Sequence, residues 1–145
     1  MEKINFTINI IAPKEKVWKI LWEDATYQKW TAVFSEGSRA KSDWKEGSKV
    51  HFVNENDDGM YSLIDKCVEN EIMNFKHLGN VKNGVELPLD ETTESWNGSM
   101  EKYALVDTDN GTSLNLEMDI LEDYLDYFNE KFPLALNIVK ELSEN

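Results

Sequence analysis

Residues 121–142 read LEDYLDYFNEKFPLALNIVKEL, and this stretch decides the fold. Glu122 and Asp123 stand where a helix should begin, since acidic residues complement the positive end of the helix dipole. Apolar residues then recur at intervals of three or four, at Leu125, Phe128, Phe132, Ala135, Val139 and Leu142. A helix of about twenty residues is ~30 Å long, enough to cross a whole sheet. We expect Pro133 to interrupt it by removing one hydrogen bond and bending the axis.

The sequence before this helix predicts the sheet that the helix covers. Residues 3–11 alternate apolar and polar side chains, as a half-buried strand does, and Pro13 then opens the first of two short helices. Further strands are predicted at 49–54, 60–68, 72–78, 94–106 and 114–120, with Asp58-Gly59 and Asn110-Gly111 as hairpin turns. Residues 79–93 have no clear period and contain Gly84 and Pro88, so we expect a mobile loop there.

This order of elements predicts an α+β fold of the helix-grip type. A curved antiparallel sheet of about six to seven strands would wrap around the long C-terminal helix, with two short helices after strand one. The helix is the one element long enough to cover the apolar face of the sheet. A chain of 145 residues fits a single domain, residues 1–145.

Composition excludes several classes of function. The 28 acidic and 15 basic residues give a net charge of −13, which repels nucleic acids and anionic membrane surfaces. The same charge serves solubility or attracts a basic protein partner. Cys67 is the single cysteine, so an intrachain disulfide and a cysteine zinc cluster are excluded. The N-terminal residues lack a signal sequence and a membrane span, and we expect a cytoplasmic protein.

Several short segments together resemble one superfamily. They are INIIAP at 8–13 with Val17-Trp18, Tyr27 and Trp30, FKHLG at 75–79, Trp96 with Glu101 and Tyr103, GTSL at 111–114 and FPLAL at 132–136. This pattern resembles the SRPBCC (START-like, birch-pollen-allergen-like) superfamily, and within it the activator-of-heat-shock-protein-90-ATPase-like branch. The resemblance implies a helix-grip fold with a deep cavity, in a superfamily that binds or transforms hydrophobic small molecules. Lipid carriers, hormone receptors, polyketide cyclases and cochaperone modules share that fold, so it does not name a ligand.

Strand alternation and the resemblance together predict a cavity lining. The candidate ligand-binding residues are aromatic and methionine side chains with a few polar anchors: Trp30, Phe52, Met60, Phe75, His77, Trp96, Glu101, Tyr103, Leu116, Met118, Phe128 and Phe132. The alternative interpretation is that these side chains fill a solid core. We predict no metal site and no cofactor, since His51 and His77 are too far apart in sequence for a metal motif.

Three functions therefore stay open at the sequence level. The first is binding of a hydrophobic small molecule in the cavity. The second is a module that interacts with a chaperone, which the branch resemblance and the acidic charge favour. The third is a cyclase-like or hydrolase-like enzyme in which His77 and Glu101 exchange protons, although no third catalytic residue is evident. The sequence leaves the oligomeric state open.

Overall fold

A computed structural model describes all residues, 1–145. It contains eight strands in one antiparallel, curved sheet and four α-helices. The strands are β1 (Glu2–Ile10), β2 (Arg39–Lys41), β3 (Lys49–Val53), β4 (Gly59–Val68), β5 (Ile72–Lys82), β6 (Val85–Glu86), β7 (Met100–Thr108) and β8 (Gly111–Ile120). The helices are α1 (Lys14–Trp22), α2 (Asp24–Thr31), α3 (Glu91–Glu94) and α4 (Leu125–Glu144), with a 3₁₀ turn at Glu122–Tyr124 before α4. The predicted α+β helix-grip architecture is confirmed.

The strand order places the two ends of the chain together. The sheet runs β1-β8-β7-β5-β4-β3-β2, and β6 pairs with the outer part of β5. Strand β1 lies antiparallel to β8, with Phe6 opposite Leu116 and Ile8 opposite Leu114. The apolar sets of both strands therefore share the face that α4 covers.

No helix is long and apolar enough to cross a membrane.

Helix α4 packs against β1, α1 and α2. Phe132 of α4 packs against two other aromatic rings, with its ring centroid 5.5 Å from that of Phe6 and 4.8 Å from that of Phe34. The C-terminal turn is tied to the end of β1, since the Glu144 carboxylate accepts a hydrogen bond from the Ile11 backbone N–H at 2.8 Å. These contacts fix the middle and the C-terminal end of the helix.

Helix α4 continues through Pro133 to Glu144, so the proline does not end the helix. The expected bend of its axis stays a prediction. Proline removes one backbone hydrogen bond from the helix. Its neighbours Phe132, Ala135 and Leu136 are all buried, which offsets that loss. The packed face, rather than backbone propensity, sets the length of this helix.

The loop predicted at residues 79–93 is more ordered in structure than expected. Strand β5 continues to Lys82 and turns through Asn83-Gly84, whose φ angles of 50° and 79° match a two-residue hairpin turn. Helix α3 follows, capped by Asp90, whose side chain accepts from the Thr93 backbone N–H at 2.8 Å. The segment is therefore not a loop over its whole length, and its expected mobility stays a prediction.

Two other predicted boundaries shift. The strand predicted from Glu94 begins at Met100, because residues 95–99 form a turn that pairs with β5: the His77 N–H donates to the Ser99 carbonyl at 2.9 Å. The turn predicted at Asp58-Gly59 spans residues 54–58 instead, where the Asn54 side chain accepts from the Asp58 backbone N–H at 3.2 Å. In both cases a side chain or a distant backbone group competes with the local strand pattern.

Candidate functional site

A cavity of about 510 Å³ lies between the sheet and the helices. It is lined by 29 residues, of which 18 are hydrophobic. They come from α1, α2, α4, the 3₁₀ turn before α4, the strands β2, β3, β4, β5, β7 and β8, and the loops between them. The volume lies within the range of small-molecule sites, roughly 300–1,000 Å³. The helix-grip architecture therefore leaves room between its two layers for a ligand.

Eleven of the twelve candidate residues line this cavity. They are Trp30, Phe52, Met60, Phe75, His77, Trp96, Glu101, Tyr103, Met118, Phe128 and Phe132. The exception is Leu116, which is 1% exposed and lies in the core away from this cavity. It faces inward on β8 as alternation predicts and belongs to the buried core, opposite Phe6 of β1 and Tyr103 of β7. That the other eleven bind a ligand stays a prediction.

Sequence reasoning missed a set of aromatic residues on the helical wall. They are Trp22, Phe34, Tyr124 and Tyr127, and Tyr27 was recognised only as part of the family pattern. Trp22 is central among them, with its ring centroid 5.4 Å from Phe75 and 5.0 Å from Tyr103. Helical periodicity indicates that such residues are buried, but it does not indicate whether they face the sheet or a cavity.

A chain of polar side chains, Ser62–His77–Glu101–Tyr103, leads from the buried core to one wall of the cavity. The Ser62 Oγ lies 2.7 Å from Nδ1 of His77, and Nε2 of His77 lies 3.1 Å from Oε1 of Glu101. The Tyr103 hydroxyl donates a short hydrogen bond to Oε2 of Glu101. Each carboxylate oxygen of Glu101 thus accepts one hydrogen bond from the protein.

A β-bulge positions His77 in this chain. Ser62 pairs with His77, whereas the preceding Tyr61 pairs with Gly79, so Leu78 has no partner on β4. Bulges re-aim side chains and are common beside functional sites. On the other edge of β5, the turn after α3 bonds to the backbone of His77, because the Gly98 N–H donates to the His77 carbonyl at 2.8 Å. His77 is therefore held on both edges of its strand.

We assign the tautomer of His77 from its hydrogen-bond partners. A carboxylate only accepts, so Nε2 carries the proton that is donated to Glu101. Ser62 is fully buried, and its hydroxyl has Nδ1 of His77 as its hydrogen-bond partner. A proton on Nδ1 would leave the Ser62 hydroxyl proton buried without an acceptor, which is costly. The arrangement is satisfied by a neutral imidazole, with Ser62 donating to Nδ1.

Several solved structures have a similar fold over nearly the whole chain. An Aha1 dimer from Colwellia psychrerythraea has a TM-score of 0.75 and 23% identity, covering 99% of this chain and 97% of that chain. An AHSA1-like protein from Aeromonas hydrophila has a TM-score of 0.68 and 13% identity, over 97% and 91% of the two chains. The protein ChR145 from Cytophaga hutchinsonii has a TM-score of 0.69 and 20% identity, over 97% and 92%.

The chain has the fold of the Aha1-like proteins. The resemblance to the activator-of-heat-shock-protein-90-ATPase-like branch is therefore confirmed at the level of the fold. No protein-family profile and no curated protein matches the sequence.

Within this Aha1-like fold, the phenols around Glu101 stay protonated. Burial, and then the negative charge of Glu101, raise the pKa of Tyr27 and of Tyr103 far above the ordinary tyrosine value. Both side chains line the cavity beside the carboxylate. The wall thus presents one carboxylate surrounded by neutral groups.

The Ser62–His77–Glu101 chain resembles a hydrolase triad in composition but not in geometry. A nucleophilic serine must reach the substrate, whereas Ser62 is fully buried and does not line the cavity of this Aha1-like fold. Its hydroxyl therefore positions His77. No group of three or more His, Cys, Asp or Glu side chains is placed to hold a metal ion.

Proposed function

We propose that the protein binds a hydrophobic small molecule in the cavity between the sheet and α4. The observation that carries this proposal is a volume of about 510 Å³ with a predominantly hydrophobic lining. The space is partly open to solvent, so a small molecule can enter it from the surface. The lining also has the composition of ligand sites, which are mostly apolar with a few placed polar groups.

Fluorescence titration with a neutral apolar probe tests the proposal. N-pentyl dansylamide becomes brighter when its ring enters an apolar site, and we expect a saturable rise with the wild-type protein. Met118 lies on β8, is 4% exposed and lines the cavity, so Met118→Trp places an indole inside it. The affinity for the probe should fall at least roughly tenfold.

Leu134→Trp is the matched control, because Leu134 is 52% exposed on α4 and does not line the cavity. It should bind the probe as the wild type does. Thermal melting of both variants checks that they are folded. The proposal fails if the wild type shows no saturable binding, or if a folded Met118→Trp variant binds with unchanged affinity.

A module that interacts with a chaperone is the second candidate, supported by the fold shared with Aha1-like proteins and by the net charge of −13. Purified heat-shock protein 90 from the same host is the direct test. This candidate predicts binding that strengthens at low ionic strength, because an acidic surface is screened by salt. Absence of binding at low salt rules it out.

A further inference from the structure

The Glu101 carboxylate has hydrogen-bonding capacity that the protein does not use. Two carboxylate oxygens offer about four acceptor positions, and Glu101 receives one hydrogen bond from His77 and one from Tyr103. Its side chain is 15% exposed, and the residue lines the cavity. The remaining positions are thus available to a donor on a bound molecule.

The charge of Glu101 is not neutralised by a cation of the protein. His77 is held as the neutral tautomer by Ser62, so its contact with Glu101 is a hydrogen bond and not a pair of full charges. The charged groups of the lining residues are three carboxylates, of Asp58, Glu101 and Asp119, and two cations, the Arg39 guanidinium and the Met1 amino group. Arg39 pairs with Asp57 at 3.5 Å and Asp119 pairs with Lys3 at 3.3 Å, and both partners lie outside the lining.

Aromatic rings surround the carboxylate. Tyr103 bonds to it directly, and Trp22 packs edge-on to Tyr103 with ring centroids 5.0 Å apart. Tyr27 and Trp30 continue this wall, with centroids 5.3 Å apart. The faces of such rings attract cations, and a carboxylate among aromatic rings is a favourable environment for an ammonium group.

We propose that the ligand is an amphipathic amine, whose protonated nitrogen binds Glu101 while its apolar body occupies the rest of the cavity. This inference rests on the proposed function, since it specifies the chemistry of the same site. An anionic ligand such as a fatty acid is disfavoured, because its charge would face Glu101 inside a site of net negative charge. The net charge of −13 also raises the local concentration of cations.

Three probes with the same dansyl body test this proposal by fluorescence titration. Dansylcadaverine ends in an ammonium, N-pentyl dansylamide is its neutral counterpart, and dansyl-6-aminohexanoic acid ends in a carboxylate. We expect the wild type to bind the amine at least roughly tenfold more tightly than the neutral probe, and the acid most weakly. Equal affinities for the three probes, or a preference for the acid, overturn the proposal.

Two variants of equal charge change locate the effect. Glu101→Gln should reduce the affinity for dansylcadaverine to that for the neutral probe, which itself should bind as before. Glu117→Gln is the control, since Glu117 lies on β8, pairs with Lys102 at 3.9 Å and does not line the cavity. Its preference for the amine should equal that of the wild type.

The outcomes separate this inference from the proposed function. Binding of the neutral probe without preference for the amine contradicts the inference and leaves the proposed function standing. Failure of all three probes contradicts both. A preference for the amine that persists in Glu101→Gln contradicts the role of Glu101. If that variant does not fold, the order of the three affinities in the wild type decides the question by itself.

Discussion

Replacing Ser62 by alanine tests the hydrogen-bond chain at its most buried point. Ser62 is fully buried and His77 is 5% exposed, so water cannot replace the lost hydroxyl at Nδ1. A buried acceptor without a donor costs about 1–3 kcal/mol. For a domain of this size, each kcal/mol lowers the melting temperature by roughly 2–4 °C. We therefore expect Ser62→Ala to melt roughly 2–12 °C below the wild type.

Urea unfolding measures the free-energy change directly, and Ser113→Ala is the matched control. Ser113 also lies on a strand, but it is partly exposed and its Oγ is 3.4 Å from the nearest amide donor, Nδ2 of Asn115. That variant should change the free energy of unfolding by less than about 0.5 kcal/mol. The reasoning is refuted if the two variants lose equal stability.

NMR of the His77 ring nitrogens gives an independent readout of the same chain. The wild type should show a protonated Nε2 and an unprotonated Nδ1 near neutral pH. A proton on Nδ1 in the wild type would contradict the assigned tautomer and with it the uncompensated charge on Glu101.

Three further perturbations follow from the packing. Phe132→Ala should lower the free energy of unfolding in urea by roughly 3–5 kcal/mol, because the ring is 4% exposed. Leu134→Ala, on the exposed face of α4, should change it by less than about 0.5 kcal/mol. Equal losses would contradict the assigned packing. Because the pKa of Tyr27 and of Tyr103 is raised in the folded state, the unfolded chain loses these protons first as pH rises. The free energy of unfolding should therefore fall above about pH 10, and it should fall less in a Tyr27→Phe/Tyr103→Phe double variant. Identical profiles of stability against alkaline pH for the two proteins would contradict the raised pKa values. Gly84→Ala should cost about 1 kcal/mol in urea unfolding, since its φ of 79° disfavours a side chain, and a neutral result would contradict the hairpin at Asn83-Gly84.

Periodicity predicted the elements that bury one face. Helix α4 and strand β1 were identified because their apolar residues recur at the period of a helix and of a strand. The same alternation placed Phe75 and His77 on one face of their strand and Glu101 and Tyr103 on one face of theirs, and all four line the cavity. Patterns of this kind are local, so a single sequence contains them.

Features that depend on distant partners were not predictable. The pairing of Ser62 with His77 is set by a bulge between two strands, which leaves no signal in either strand alone. The late start of β7 depends on a turn that pairs with β5. Leu116 illustrates the same limit, since alternation places it inward but does not indicate which part of the interior it occupies.

A crystal structure of the protein bound to dansylcadaverine tests the central claim most directly. We expect the dansyl ring among the aromatic side chains between the sheet and α4, with the amine about 3 Å from a carboxylate oxygen of Glu101. A cavity closed by its own side chains, or a probe bound outside it, would contradict the account.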